Sequence, residues 1–317
     1  MEPVVVKLSG GLTESREAIG HLCDWVNSIL QPREKGATVK GTGSGGTSVP
    51  GMKPAGAGRL KAETSGLDPL NPGTKLSGES GYLSSGAHVK FSGVTIVHGG
   101  GRQINAMSEQ LGIPVRQVAG RRITDKQTMD VLLATVGGTV NRKLVSEMRR
   151  HGLQAVGLTG ADGELTTAVR REPLVIDGEP IDFGYVGHIL SVQPELLQTL
   201  MEQRYVPVVA CLTWSEEEGM LNINADTMAI EIAGSLFARE LVMLMEPEAV
   251  LDAQLNPIAS LTFSEFQQGV TDGWISAGMR PKLETGFKAF RSGLERVRLT
   301  NPEGLAAGGG TILINDL

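Results

Sequence analysis

Cysteine is scarce in this 317-residue chain: there are two, Cys23 and Cys211, far apart and in no metal or redox spacing. Cys23 falls in register with Ile19, Leu22 and Val26, which reads as a small buried hydrophobe on a helix. Histidine is scarce too, and the five present (His21, His88, His98, His151, His188) show no ligand spacing, which argues against a structural metal. No stretch approaches the roughly 20 apolar residues of a membrane span. Val4-Val5-Val6 at the start is too short for a secretory apolar region and lacks its basic lead, so a reducing cytoplasm is the expected location. Neither sign of charge dominates: 29 basic against 35 acidic residues leave a net −6, with no electrostatic footprint for nucleic acid or an anionic membrane.

What the chain does have is a rhythm of strand and helix. Val4–Leu8 is a short β-branched run that ends at Ser9-Gly10-Gly11. A helix is expected to follow, opening near Thr13 with Glu17 in a spacing like a capping box and running to about Leu30. Val94–Val97 is a second apolar strand, ending at His98-Gly99-Gly100-Gly101, with a helix after it through Leu111. Lys126–His151 reads as one long amphipathic helix with Met129, Leu132, Leu133, Val136, Val140, Leu144, Val145 and Met148 on its apolar face. Further strands are expected at Ala155–Leu158, Val206–Ala210, Leu241–Leu244, Arg296–Leu299 and Thr311–Ile314, with helices at Pro194–Gln203, Asp226–Phe237 and Pro281–Gly293. Residues 165–190, with turns such as Asp177-Gly178-Glu179-Pro180, suggest an antiparallel excursion. The alternation predicts an α/β fold with right-handed crossovers and a mostly parallel sheet covered on both faces. Ligands of such sheets sit beyond the carboxyl ends of the strands, where both glycine clusters fall.

One segment interrupts the rhythm. Residues 36–86 hold 13 glycines, and from about Pro32 to Ser92 no periodicity is sustained. Such a stretch buries too little apolar surface to offset its chain entropy, so 32–92 is expected to be a disordered insertion. Within it, Gly41-Thr42-Gly43-Ser44-Gly45-Gly46 spells GxGxxG, but no strand feeds it and no helix follows, so the dinucleotide fingerprint lacks its context. The phosphate-loop spelling fails as well, because Thr47 stands where the lysine belongs.

Several polar residues stand in apolar or glycine-rich surroundings. Lys7 follows three valines. Lys282 follows Gly278-Met279-Arg280-Pro281 at a helix start, where a cation opposes the macrodipole and so is expected to meet an anion. Asp226, in Asn222-Ile223-Asn224-Ala225-Asp226, opens an apolar helix and could orient both lysines. Arg122, in Gly120-Arg121-Arg122-Ile123-Thr124-Asp125, offers a planar fork suited to a carboxylate. Singly, each has a structural reading: a solvated strand end for Lys7, a helix N-terminal carboxylate for Asp226, a surface cation for Arg122. Together, two lysines, two glycine turns and an organising carboxylate are the parts that phosphoryl transfer needs, since that chemistry rests on cations and N–H groups placed around a migrating anion.

These segments, in their order, resemble the motifs of the acetylglutamate kinases within the amino-acid kinase family; Gly138-Thr139-Val140-Asn141-Arg142-Lys143 and Val156-Gly157-Leu158-Thr159-Gly160-Ala161-Asp162-Gly163 match as well. The resemblance spans nearly the whole chain outside the insertion. It implies a three-layer αβα sandwich in which a part of about 1–210 binds N-acetyl-L-glutamate and a part of about 211–317 binds nucleotide. The implied reaction is ATP-dependent phosphorylation of the side-chain carboxylate. Lys7 and Lys282 would neutralise the transferring group, Asp226 would hold them, and N–H groups around Gly10 and Gly100 would cradle it. Gly100 and Gly101 would line the acceptor pocket, with Arg122 and Asn222 at the α-carboxylate. Mg²⁺ is expected on the ATP phosphates rather than in a protein cage.

Two departures carry expectations of their own. Where the family shows Thr or Ser, then Asp-Val, then a glycine before Val-Leu, this chain reads Met245-Glu246-Pro247-Glu248-Ala249-Val250-Leu251. That implies a reshaped nucleotide wall and like-charge repulsion of ATP. Arginine-inhibited members resemble one another in an extra N-terminal helix that builds hexamers. Here the first strand starts at Val4, and Asn301–Thr311 lacks the family's histidine-containing approach, so a homodimer indifferent to arginine is expected. Two other readings stand beside this one: a kinase for a related N-acylated acid such as an aminoadipate derivative, and a non-catalytic amino-acid-binding subunit.

Overall fold

The computed structural model describes residues 2–30, 93–276 and 278–316; the segment 32–92, with its GxGxxG, lies outside them. Eight strands form the central sheet: β1 (Val4–Leu8), β2 (Val94–His98), β3 (Ala155–Thr159), β4 (Val206–Ala210), β5 (Glu240–Leu244), β6 (Ser260–Thr262), β7 (Val297–Thr300) and β8 (Thr311–Ile314). Their order is β6-β8-β7-β5-β1-β2-β4-β3, and every pair is parallel except β7 with β8. β2, β4 and β5 are buried at every residue, so their apolar residues run on rather than alternate, with Thr95, His98 and Glu240 as buried polar members.

The helices are α1 (Arg16–Leu30), α2 (Gly101–Gln110), α3 (Lys126–Arg150), α4 (Glu195–Glu202), α5 (Ala225–Ser235), α6 (Phe263–Thr271), α7 (Arg280–Lys288) and α8 (Pro302–Ala307). Successive residues of β1 face opposite layers. Val4, Val6 and Leu8 pack with Ile19, Leu22, Cys23 and Val26 of α1 and with Leu144 and Met148 of α3. Val5 packs instead into the cluster that holds Met228 and Ile232 of α5, Leu197 of α4 and Leu283 of α7. This is the three-layer arrangement, with Cys23 wholly buried as its helical register predicts. Truncating Leu22, 1% exposed in that cluster, to alanine would cost about 2–5 kcal/mol.

Several local expectations need revision. Thr13 does not cap α1: its hydroxyl donates to the Gly10 carbonyl (2.8 Å), and Ser15 Oγ accepts from the Ala18 N–H (3.1 Å) instead. The long helix α3 ends at Arg150 and is not α-helical throughout, since Leu133–Val140 is wound as a π-helix between two α segments. The wide turn brings Val136 and Val140 up under Gly100, where an added Cβ would meet their methyl groups at 3.0 and 3.6 Å. The excursion at 165–190 is antiparallel, Thr166–Arg170 against Gly187–Val192, but the same small sheet also takes Leu212–Ser215 and Gly219–Asn222. That second hairpin delivers Asn222 to the strand ends. β6 and α6 were not anticipated either, although Thr262 and Glu265 form a full capping box there.

Candidate active site

Leu8 and His98 are register partners at the ends of β1 and β2, so the two glycine turns leave the sheet side by side. A Cβ built on Gly10 would lie 3.6 Å from the Gly101 backbone nitrogen. The two turns therefore approach within van der Waals range at Gly10, and a backbone N–H borders the space between them. Oxygens of an anion fit such a concavity. The α2 N-terminus, starting at Gly101, adds further N–H groups at that edge.

Lys7, the one residue of β1 that is not fully buried, places Nζ 2.6 Å from Asp226 Oδ1, with side-chain exposures of 16% and 25%. Asp226 sits in the first turn of α5. That turn is held by the Asn224 side chain, which accepts from the backbone N–H groups of Asp226 (2.7 Å) and Thr227 (3.2 Å). Cys211 is close enough to feel both charges, and burial pushes its thiol up to about 12, so it stays protonated. Nothing in the local sequence places Cys211 at this site, because its neighbourhood is built by distant segments: its N–H donates to the His98 carbonyl, and its carbonyl accepts from the Ile223 N–H.

Arg122 comes from a two-stranded hairpin, Gln117–Val118 with Arg121–Arg122. Its Nη2 donates to Asn105 Oδ1 (2.5 Å) and reaches the Gly101 carbonyl (3.5 Å). Its Nη1 is buried without a partner, and burial lowers the guanidinium's affinity for its proton. A half-sequestered fork with one idle nitrogen beside Gly101 is suited to a carboxylate. Asn222 donates to Thr124 Oγ1 (3.2 Å), two residues from Arg122, so both lie on one wall. Lys282 occupies the first turn of α7, half-buried, and among the described residues no carboxylate lies in ion-pair range of it. The structure thus brings Lys7 to Asp226 and Arg122 to Gly101, while Asp226 does not hold both lysines.

Beneath the second turn lies a buried polar chain. His98 is 0% exposed, and Nδ1 lies 2.9 Å from the Gly99 carbonyl, so that nitrogen carries the proton. Nε2 then accepts from Asn141 Nδ2 (2.9 Å), whose other hydrogen goes to the Val208 carbonyl (2.9 Å). Arg142 donates to Asn141 Oδ1. Burial, with a smaller contribution from the Arg142 charge, lowers the His98 pKa to about 4, so the ring is neutral at physiological pH. On the other side, Gln103 Nε2 donates to Thr13 Oγ1 (3.0 Å), and both side chains reach the Gly10 carbonyl. The two turns are braced against each other by residues next to motifs whose own roles were legible only for their glycines.

The amino acid kinase family matches residues 85–301 of this chain. The chain is 44% identical over 213 residues to the acetylglutamate kinase of Anaeromyxobacter sp. (strain Fw109-5), covering 65% of this chain and 79% of that one. It is 40% identical over 221 residues to the acetylglutamate kinase of Methanopyrus kandleri, covering 69% and 89%. A crystal structure of a Streptococcus mutans UA159 protein superposes over 98% of each chain with a TM-score of 0.65 at 21% identity, a likeness of fold alone. This chain belongs to the amino acid kinase family.

Proposed function

We propose that this chain is an acetylglutamate kinase, transferring the γ-phosphoryl group of ATP to the side-chain carboxylate of N-acetyl-L-glutamate, a step of arginine biosynthesis. The observation that carries the reading is the convergence of the Lys7–Asp226 pair with two facing glycine turns and the idle Arg122 nitrogen. The identity to relatives named acetylglutamate kinase supports this acceptor over other acids.

In the proposed reaction a carboxylate oxygen of the acceptor bonds to the γ-phosphorus as the bond to the β,γ-bridging oxygen breaks, giving N-acetyl-L-glutamyl 5-phosphate and ADP. Lys7, oriented by Asp226, and Lys282 offset charge on the moving group, and N–H groups around Gly10 and Gly100 receive its oxygens. Gly100 and Gly101 border the acceptor, with Arg122 and Asn222 at its α-carboxylate. The acceptor is held mainly by the part of about 1–210, joined by Asn222, and the nucleotide mainly by the part of about 211–317, with Lys7 and Gly10 at its transferring phosphoryl group. Bound Mg²⁺ neutralises the ATP phosphates. The strand ends fit that division of labour: they offer cations and N–H groups, and among the described residues the one cluster with metal-ligand spacing, Glu17, His21 and Glu303, belongs to α1 and α8. A homodimer in the cytoplasm completes the proposal; among the described residues no helix is long and apolar enough to cross a membrane.

The deciding experiment compares ADP release with N-acetylglutamate, glutamate and N-acetylaminoadipate side by side. Turnover dominated by N-acetylglutamate supports the assignment. Preference for the longer acid, or no turnover with any, overturns it.

A further inference from the structure

Arg102 stands in the first turn of α2, immediately after the glycine turn, where a cation opposes the helix macrodipole and gains nothing from the helix itself. It is turned toward the other glycine turn. Nη1 lies 3.1 Å, and Glu246 Oε1 3.0 Å, from the point where a Cβ on Gly11 would stand. Nη2 meets Glu246 Oε1 at 3.2 Å. One partner follows β2 and the other follows β5, the two strands that flank β1, so the ion pair closes over the turn that follows β1. The negative charge expected to repel ATP at Glu246 is therefore not bare.

The pair has the character of an exchangeable contact. Its side chains are 66% and 69% exposed, and exposed pairs of this kind contribute little to folding. A polyphosphate is a stronger partner for guanidinium than a single carboxylate is, through more charge and bidentate geometry. Glu246 left beside phosphate oxygens would repel them.

We propose that Arg102 is a nucleotide-phosphate-binding residue whose availability is set by Glu246. When the triphosphate enters the Gly10–Gly11 turn, the guanidinium exchanges the Glu246 carboxylate for a β- or γ-phosphate oxygen, and Glu246 tunes nucleotide affinity by competing for it. The inference rests on the proposed placement of nucleotide at this turn.

The test measures binding of MgATP (without acceptor) and of adenosine by calorimetry, with KM values alongside, for wild type, Arg102→Gln, Arg102→Lys, Glu246→Gln and the Arg102→Gln/Glu246→Gln double variant. Arg102→Gln should weaken MgATP about tenfold, the size of one lost charged hydrogen bond, while adenosine binding and the KM for acetylglutamate move less than about twofold. Arg102→Lys should recover part of the loss. Glu246→Gln should tighten MgATP several-fold, and the gain should vanish when Arg102 is also replaced. Unchanged MgATP affinity in Arg102→Gln overturns the proposal, as does equal weakening of adenosine. An undiminished Glu246→Gln gain without Arg102 also overturns it, since that would be simple repulsion. Should wild type fail to phosphorylate acetylglutamate yet show this binding pattern, the assigned acceptor falls and the role of Arg102 stands.

Discussion

The rim of the glycine turns and the floor beneath them are both polar, and they are built by opposite means. At the rim, Lys7–Asp226 and Arg102–Glu246 are formal ion pairs reachable by solvent. In the floor, His98 and Asn141 are fully buried and uncharged, with each hydrogen placed on a carbonyl or a ring nitrogen. The difference follows from what each must do. Rim charges can be traded for those of a ligand, because water and ligand both compensate them. A floor that orients the Gly99 peptide has to remain neutral, since a buried charge without a partner is very costly.

The largest expected effect separates the two. Lys7→Ala, Lys282→Ala and Asp226→Asn should each lower kcat by about 10²–10³-fold or more, as loss of a preorganised electrostatic contact does, with the fold retained by circular dichroism and thermal melting. Near-normal turnover in both the Lys7 and Asp226 variants would dissolve the distinction.

Next comes the floor. The folded His98 pKa is depressed from 6.5 to about 4, so stability from the neutral ring is fully present above pH 6.5 and is lost as pH falls toward 4. The loss across that window is about 3 kcal/mol. Denaturant unfolding at pH 7.5, 6 and 5 should show this slope in wild type and a shallower one in His98→Gln. Equal slopes would mean that other groups carry the acid sensitivity. Gly157→Ala sharpens the same point, because its methyl would collide with Asn141 Oδ1 and Arg142 Nη2, so it should destabilise the fold without touching the rim.

Arg122→Ala should act mainly on the acceptor, raising its KM by about 10–100-fold with a smaller change in kcat, the range for a lost charge-assisted hydrogen bond. A kcat effect larger than the KM effect would move Arg122 from binding to the chemistry. The smallest effect belongs to Glu246→Gln, whose thermal unfolding should differ from wild type by less than about 1 kcal/mol, since its partner is exposed.

Much of this molecule follows from local sequence. The valines around Lys7 dictate a buried central strand, the 3.6-residue spacing of Ile19, Leu22, Cys23 and Val26 dictates a helix packed on it, and glycines after β1 and β2 mark where backbone can approach an anion. The capping box of Thr262 and Glu265 is a local signal of the same kind, although α6 was not anticipated from it. These signals sit within one or two turns of the residues they govern. Tertiary structure alone decided that β2 and β5 flank β1, which brings Arg102 to Glu246 across 144 positions of sequence, and that Asn141 meets His98 across 43. It also decided that Asp226 engages Lys7, with no described carboxylate at Lys282, and that α3 widens into a π-helix under Gly100. Side-chain partners of this kind depend on strand order and register, which arise from how the whole set of apolar faces can be buried at once, and no local pattern carries that information.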